Sequence, residues 1–223
     1  MTNPSRFLRD NGLSLAFLAL FAVSLVGMSV AGLGDHNQEQ ARHGERPISY
    51  GEYLAEAHFW EAVTENWESE FLQMGFYVVL TAFLFQRGSS ESKDPDKKEA
   101  VDADPFQSRR LDAPWPVRRK GWPLKIYQCS LSLAFLGLFL ASFGGHALSG
   151  YREQSAERLA HGLPEISLFE YASGATFWFE SLQNWQSEFL AVLSMVTLSI
   201  FLRQRGSPES KPVDFPHHET GRG

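Results

Sequence analysis

The chain has 223 residues, 43% of them hydrophobic and 21% charged, with a formal net charge of −6. The acidic balance excludes a generic nucleic-acid binder, which needs a basic face; a lone cysteine, Cys129, excludes an intrachain disulfide or a multi-cysteine zinc site and reads as a small apolar packer. A mean hydropathy of −0.22 looks low for a membrane protein, but that average mixes strongly apolar stretches with a charged linker and two polar loops.

The first apolar stretch, Leu13 to Leu33, has the length a membrane-spanning helix requires, about 20 residues. Arg6 and Arg9 precede it and Ser29-Val30-Ala31 resembles a small-x-small cleavage site, the pattern of a signal peptide. An equivalent stretch recurs mid-chain at Ile126 to Leu148, where signal cleavage has no place, so both read as permanent helices. The first span continues through polar sequence to His43-Gly44, a helix stop, and Ser49-x-x-Glu52 then forms a capping box. Beyond it Tyr53, Ala57, Trp60, Thr64, Trp67 and Phe71 alternate spacings of four and three, the stripe of a helix. A helix from Tyr50 to Gln86 would be roughly 55 Å long, so its first part must project outside a bilayer or lie on its surface. The apolar end, Phe71 to Phe85, supplies only about 22 Å and must recruit Asn66 to Glu70 to cross about 30 Å of hydrocarbon.

Ser89 to Gly121 is rich in Asp, Lys, Pro and Ser and reads as a disordered linker. After it the pattern repeats. A shift of 118 residues lays Leu13 to Lys93 over Leu131 to Lys211 without a gap, with 38 of 81 positions identical. Identity concentrates in LSLAFL, NWxSEFL and QRGSxESK. Ser167-x-x-Glu170 repeats the capping box, and Asn184 to Phe201 is the second short span. The expected organisation is a two-helix membrane repeat at 1–88, a disordered cytoplasmic linker at 89–121, a second repeat at 122–206 and a flexible cytoplasmic tail at 207–223. The expected fold is all-α: an integral membrane four-helix bundle from two tandem hairpins, with helices extending beyond the outer face.

Of the 20 basic residues, 16 fall in the N-terminus, the segment from Arg87 to Lys125 and the C-terminal tail, against Arg42, Arg46, Arg152 and Arg158 in the hairpin loops. The positive-inside rule therefore puts both termini in the cytoplasm and gives the repeats the same orientation. Trp60, Trp67, Trp178 and Trp185 fall near the outer boundary as interfacial anchors, while Trp115 and Trp122 precede the third span on the inner side. A cage of these rings around a cationic ligand is the rival reading.

Glu70 and Glu188 are the candidates for chemistry, because a span beginning at Asn66 places each carboxyl about 6 Å below the outer edge. Asn66, Glu70, Gln73, Tyr77 and Thr81 share one helical face, and Asn184, Glu188 and Ser199 hold the corresponding places. Polar groups within a membrane face the bundle interior, so this strip reads either as an anchor or as a site sharing a proton or cation. Glu39-x-x-x-His43 and Glu157-x-x-x-His161 each set a carboxylate and an imidazole one turn apart, which suits a metal site or ordinary helix-end pairing. His146, with Met28 at the equivalent position, reads as an isolated interfacial histidine. Gly137, Ala141, Gly145 and Ser149, like Ala19, Gly27 and Ala31, give small-residue faces for contact between the first and third spans. The Ser-x-Glu-Ser-Lys sequence beyond each second span reads as a helix stop or a weak docking site.

The paired NWxSEFL and QRGSxESK blocks and the start Asp10-Asn11-Gly12-Leu13-Ser14-Leu15 resemble a bacterial membrane family catalogued as domain of unknown function 6766. The resemblance covers most of the chain and implies a protein of the bacterial cytoplasmic membrane, with no activity carried over to any residue. The expectation is a non-enzymatic multi-pass membrane protein acting as scaffold, partner subunit or envelope-stress component; the alternative is a proton or cation transporter or channel using Glu70 and Glu188. No cofactor is expected. The expected partners are the lipid bilayer and either another membrane protein or further copies of the chain, not nucleic acid.

Overall fold

The computed structural model describes residues 4–42 and 44–221, and among these the chain is all-helical, without a strand. In order the helices are α1 (Pro4–Arg42), α2 (Tyr50–Tyr53), α3 (Ala57–Phe83), α4 (Trp115–Arg119), α5 (Gly121–Tyr127), α6 (Ser130–Ala160), α7 (Leu168–Ala172) and α8 (Ala175–Phe201). Two of them, α1 over Arg6–Arg42 and α6, are long and apolar enough to cross a membrane. The second halves of α3 and α8 are apolar as well, but their first halves carry Glu65, Glu68 and Glu70, and Glu180 and Glu188.

Local chemistry sets the helix ends. Pro4 occupies the first turn of α1, where its missing N–H costs nothing. At the other end Gly44 takes a φ of +74°, its N–H reaches Ala41 O at 3.2 Å and Glu45 N–H reaches Gln40 O at 2.9 Å, the two reverse bonds of a Schellman stop. α6 ends alike, with Gly162 at φ +71° and Leu163 N–H on Arg158 O at 2.9 Å. The capping box is present at Ser49 and Glu52, and Ser167 Oγ accepts from Glu170 N–H at 3.1 Å.

The single helix expected over Tyr50 to Gln86 is divided. It breaks after Tyr53, resumes at Ala57 and stops at Phe83. The break has a cause in the side chains: the Trp60 indole N–H donates to Leu54 O at 3.0 Å, taking the carbonyl that a continuous helix would give to the N–H four residues on. In the second half of the chain the break falls at Gly174.

Residues 1–62 and 63–223 form two compact units, the boundary falling inside α3. In the first unit Asn37 clamps the chain after α1, its amide oxygen accepting from Ile48 N–H at 2.7 Å and its NH₂ donating to Ile48 O at 3.0 Å. Tyr53 is buried, its hydroxyl 3.1 Å from His58 Nδ1, with the His36 and His58 rings 5.4 Å apart beside it. Gly32 is required there, because a Cβ would run into the Tyr53 hydroxyl.

The second unit has its core where α6, α7 and the start of α8 meet. Ile166, Tyr171 and Phe177 are buried there, with Phe143, Ala147 and Tyr151 against them. The small face of α6 meets α3: a Cβ on Gly145 would lie 2.8 Å from Thr64 Cγ2, while Gly137 and Gly27 face open space. The segment expected to be disordered, 89–121, takes defined local structure, with 3₁₀ turns at Ala100–Asp102 and Pro105–Gln107 and helix α4. Its first residues, Ser89, Ser90 and Glu91, are buried. Their hydroxyls and amides find partners, Ser89 Oγ on Ser199 Oγ at 3.0 Å and Ser90 Oγ donating to Glu209 O at 3.0 Å, which is what ordering a polar stretch requires.

Candidate functional site: a buried carboxylate–imidazole cluster

Three helices of the second unit deliver charged side chains to one place. Glu65 and Glu68 lie three residues apart on α3 and so share a face; Glu180 and Asn184 lie four apart on α8. His146 stands on α6 between Gly145 and the buried Ser149. The His146 ring and Glu68 are both wholly buried. Nδ1 of His146 is 3.1 Å from Glu68 Oε2, and Nε2 is 3.4 Å from Glu180 Oε2. Phe177 covers the ring, with centroids 4.8 Å apart.

Each carboxylate is fixed by a second donor. The Trp185 indole N–H donates to Glu68 Oε1 at 3.1 Å, the Tyr171 hydroxyl donates to Glu180 Oε2 at 3.1 Å, and Asn184 Nδ2 donates to Glu65 Oε1 at 2.6 Å. Burying charge costs several kcal/mol per ion unless it is paired and hydrogen-bonded. Glu61, also on α3, sets a fourth carboxylate within 4.8 Å of His146 and Glu180, so the cluster carries more acid than base. Chemically it can hold and pass protons: both ring nitrogens face oxygen, and the Glu180 side chain, 28% exposed, joins the sealed interior to solvent.

The residues singled out from sequence are placed differently. Glu70 and Asn66 are exposed, Glu188 is half-buried, and Glu70 and Glu188 lie near enough for their charges to interact. Glu188 enters the packing by its backbone, its carbonyl accepting from Gln73 Nε2 at 2.7 Å. Of these four only Asn184 joins the buried cluster. Glu39 and Glu157 are exposed; His161, also exposed, donates from Nδ1 to the Glu157 backbone carbonyl at 2.8 Å; His43 lies outside the described residues. Trp60 and Trp178 are exposed, whereas Trp67 and Trp185 are half-buried.

The retained QRGSxESK blocks form matching loops. Gly88 and Gly206 take φ of +88° and +85°, and Ser92 Oγ and Ser210 Oγ accept from Gln86 N–H at 2.8 Å and Gln204 N–H at 2.9 Å. The lysines close them differently. Lys93 Nζ donates to Ala82 O at 3.1 Å and pairs with Asp102 at 2.6 Å. Lys211, almost wholly buried, donates to the carbonyls of Pro216, His217 and Glu219, and burial lowers its proton affinity. Loop closure thus accounts for the distal Glu-Ser-Lys.

The His146 cluster is invisible in the positions that agree between the two halves of the sequence. Its members are positions that disagree: at the 118-residue offset Glu65 faces Gln183, Glu68 faces Gln186, His146 faces Met28 and Glu180 faces Ala62. Ionisable residues opposite neutral ones, on helices otherwise alike, are the signal that could have found it.

These features define an all-helical chain with two helices able to cross a membrane and a buried imidazole held by carboxylates. The chain belongs to the family described as Domain of unknown function (DUF6766), whose profile matches residues 4–222. Neither curated proteins nor solved structures give a significant match.

Proposed function

We propose that the protein is a multi-pass protein of the bacterial cytoplasmic membrane, a four-helix bundle of two tandem hairpins with both termini and the linker in the cytoplasm. Its role is non-enzymatic: a scaffold, partner subunit or envelope-stress component. One observation carries the membrane assignment. Leu13, Phe17, Leu18, Leu20, Phe21 and Val23 of α1 are all exposed and, at 100° per residue, lie all around the helix, which suits hydrocarbon and not water. Phe76, Val79, Leu80 and Phe83 on α3, and Leu190, Leu193, Leu198 and Phe201 on α8, are likewise exposed. The scaffold role is favoured by what the halves retain, since QRGSxESK closes loops and the Ser-x-x-Glu pairs cap helices.

Cysteine-accessibility labelling tests the topology. In a Cys129→Ser background an impermeant reagent should modify a cysteine at Gly44 or Gly162 and miss one at Ser90; the opposite pattern overturns the reading. A second reading, proton or cation transport, is favoured by the nearness of Glu70 to Glu188. Purified protein in liposomes separates the two: ion flux that Glu70→Gln and Glu188→Gln abolish supports transport, and flux no greater than in empty liposomes supports the scaffold.

A further inference from the structure

We infer that Glu68, His146 and Glu180 form a proton-binding site, in which one proton beyond those of a neutral imidazole holds α3, α6 and α8 together. The argument is a count of protons. An ionised carboxylate can only accept a hydrogen bond, and a neutral imidazole carries one N–H. His146 faces Glu68 across Nδ1 and Glu180 across Nε2, so two contacts need two protons. The ring supplies one. The other resides on the ring, the more basic of the groups, which becomes an imidazolium between two carboxylates. Without it one contact sets an imidazole lone pair against carboxylate oxygen with no hydrogen between, and that side must open.

The surroundings favour keeping the proton. Glu65 and Glu61 bring two more carboxyl groups from α3, the first with the Asn184 amide on it and the second within 4.8 Å of the His146 ring nitrogen and the Glu180 carboxylate, while the Trp185 indole and the Tyr171 hydroxyl that donate to the triad are neutral. With the extra proton bound the triad carries one negative charge; without it, two, around a wholly buried ring. A metal ion on Glu61, Glu180 and one ring nitrogen, whose ligand atoms lie within 4.8 Å of one another, is the competing occupant, and it would leave the Glu68 contact to the neutral ring's own N–H. Glu180, the one triad member with solvent access, is the entry point. Only the compartment it opens to rests on the topology proposed above: under that topology it is the outer side, and a pH change there would loosen or tighten the joint between three helices.

The test is nitrogen NMR of histidine-labelled protein in lipid nanodiscs, with the His146 signals identified by their loss in His146→Gln. At neutral pH the ring should carry a proton on both nitrogens. In Glu180→Gln the introduced amide donates to Nε2, and His146 should drop to a single proton on Nδ1, facing Glu68. A singly protonated His146 in the unaltered protein overturns the inference, as does a ring unchanged by Glu180→Gln. So does a stoichiometric metal that co-purifies and disappears in His146→Gln. If Glu180→Gln does not fold, the unaltered protein still decides through its own ring protonation. Failure here leaves the cysteine-labelling result untouched, so the two readings fall separately.

Discussion

Gly145 and Thr64 set the approach of α6 to α3: a Cβ on the glycine would stand 2.8 Å from Thr64 Cγ2 and 3.3 Å from Thr64 Cβ. The neighbouring Ser149 continues the contact, its hydroxyl 3.4 Å from Thr64 Oγ1. His146 lies between these two residues, so the same close approach places its ring against Glu68.

Replacing Gly145 by Leu should therefore destabilise the protein by about 2 kcal/mol or more, as overpacking does. Leu138→Phe, at an exposed position on the same helix, should stay close to the starting stability. Thermal unfolding in detergent compares them; equal tolerance would refute the packing at residue 145.

The two loop glycines should differ in cost although their motifs match. Both have positive φ, so alanine at either costs about 1 kcal/mol through the backbone alone. At Gly88 a Cβ would also lie 2.5 Å from the His217 carbonyl oxygen, while at Gly206 nothing stands within 4 Å. Gly88→Ala should thus be the more damaging, seen as faster exchange of the residue-88 amide, which donates to the Thr220 hydroxyl, and of the Gly221 amide. Equal effects would argue against the contact with residue 217.

Asn37→Ala removes both partners of Ile48 and should cost about 1–3 kcal/mol locally, the penalty of unpaired backbone groups. Exchange at the Ile48 amide reads this directly. Retained protection there would mean that the Asn37 clamp is dispensable.

The Glu52 carboxyl is held at about 2 against an ordinary 4.5, first by the Ser49 N–H, then by the Ser49 hydroxyl and the Arg46 guanidinium. Its folded value is lowered, so its contribution to the α2 cap is complete above pH 4.5 and is lost as the pH falls through the window down to about 2. Protection of the Ser49 amide should decline across that window, and in Glu52→Gln it should be weaker and independent of pH. A carboxyl titrating near its ordinary value would contradict the capping box.

The helix stops at Gly44 and Gly162 and the caps at Ser49 and Ser167 were legible in the sequence, because each depends on a few adjacent residues. The break before α3 was not, since it depends on one indole finding one carbonyl six residues back. The order in 89–121 was hidden for a similar reason: its buried serines are satisfied by Ser199 and Glu209, more than a hundred residues away. Of the cluster, sequence reading reached Asn184 and Trp185 through the retained NWxSEFL block, and assigned them to other tasks. His146 read as isolated because its partners lie 78 and 34 residues off, at spacings no local periodicity reveals.

Glu68 lies on α3, His146 and Glu180 on α6 and α8, and 118 residues away from them stand Gln186, Met28 and Ala62. Neither copy contains the triad, and two identical copies could not reproduce it unless each regained the residues the other now supplies. The two halves of the chain divide the site's residues between them. Deleting either half, or replacing it by the other, removes part of the site. The covalent link at 89–121 then does more than join two stretches of chain: it guarantees that the complementary halves are synthesised in equal number.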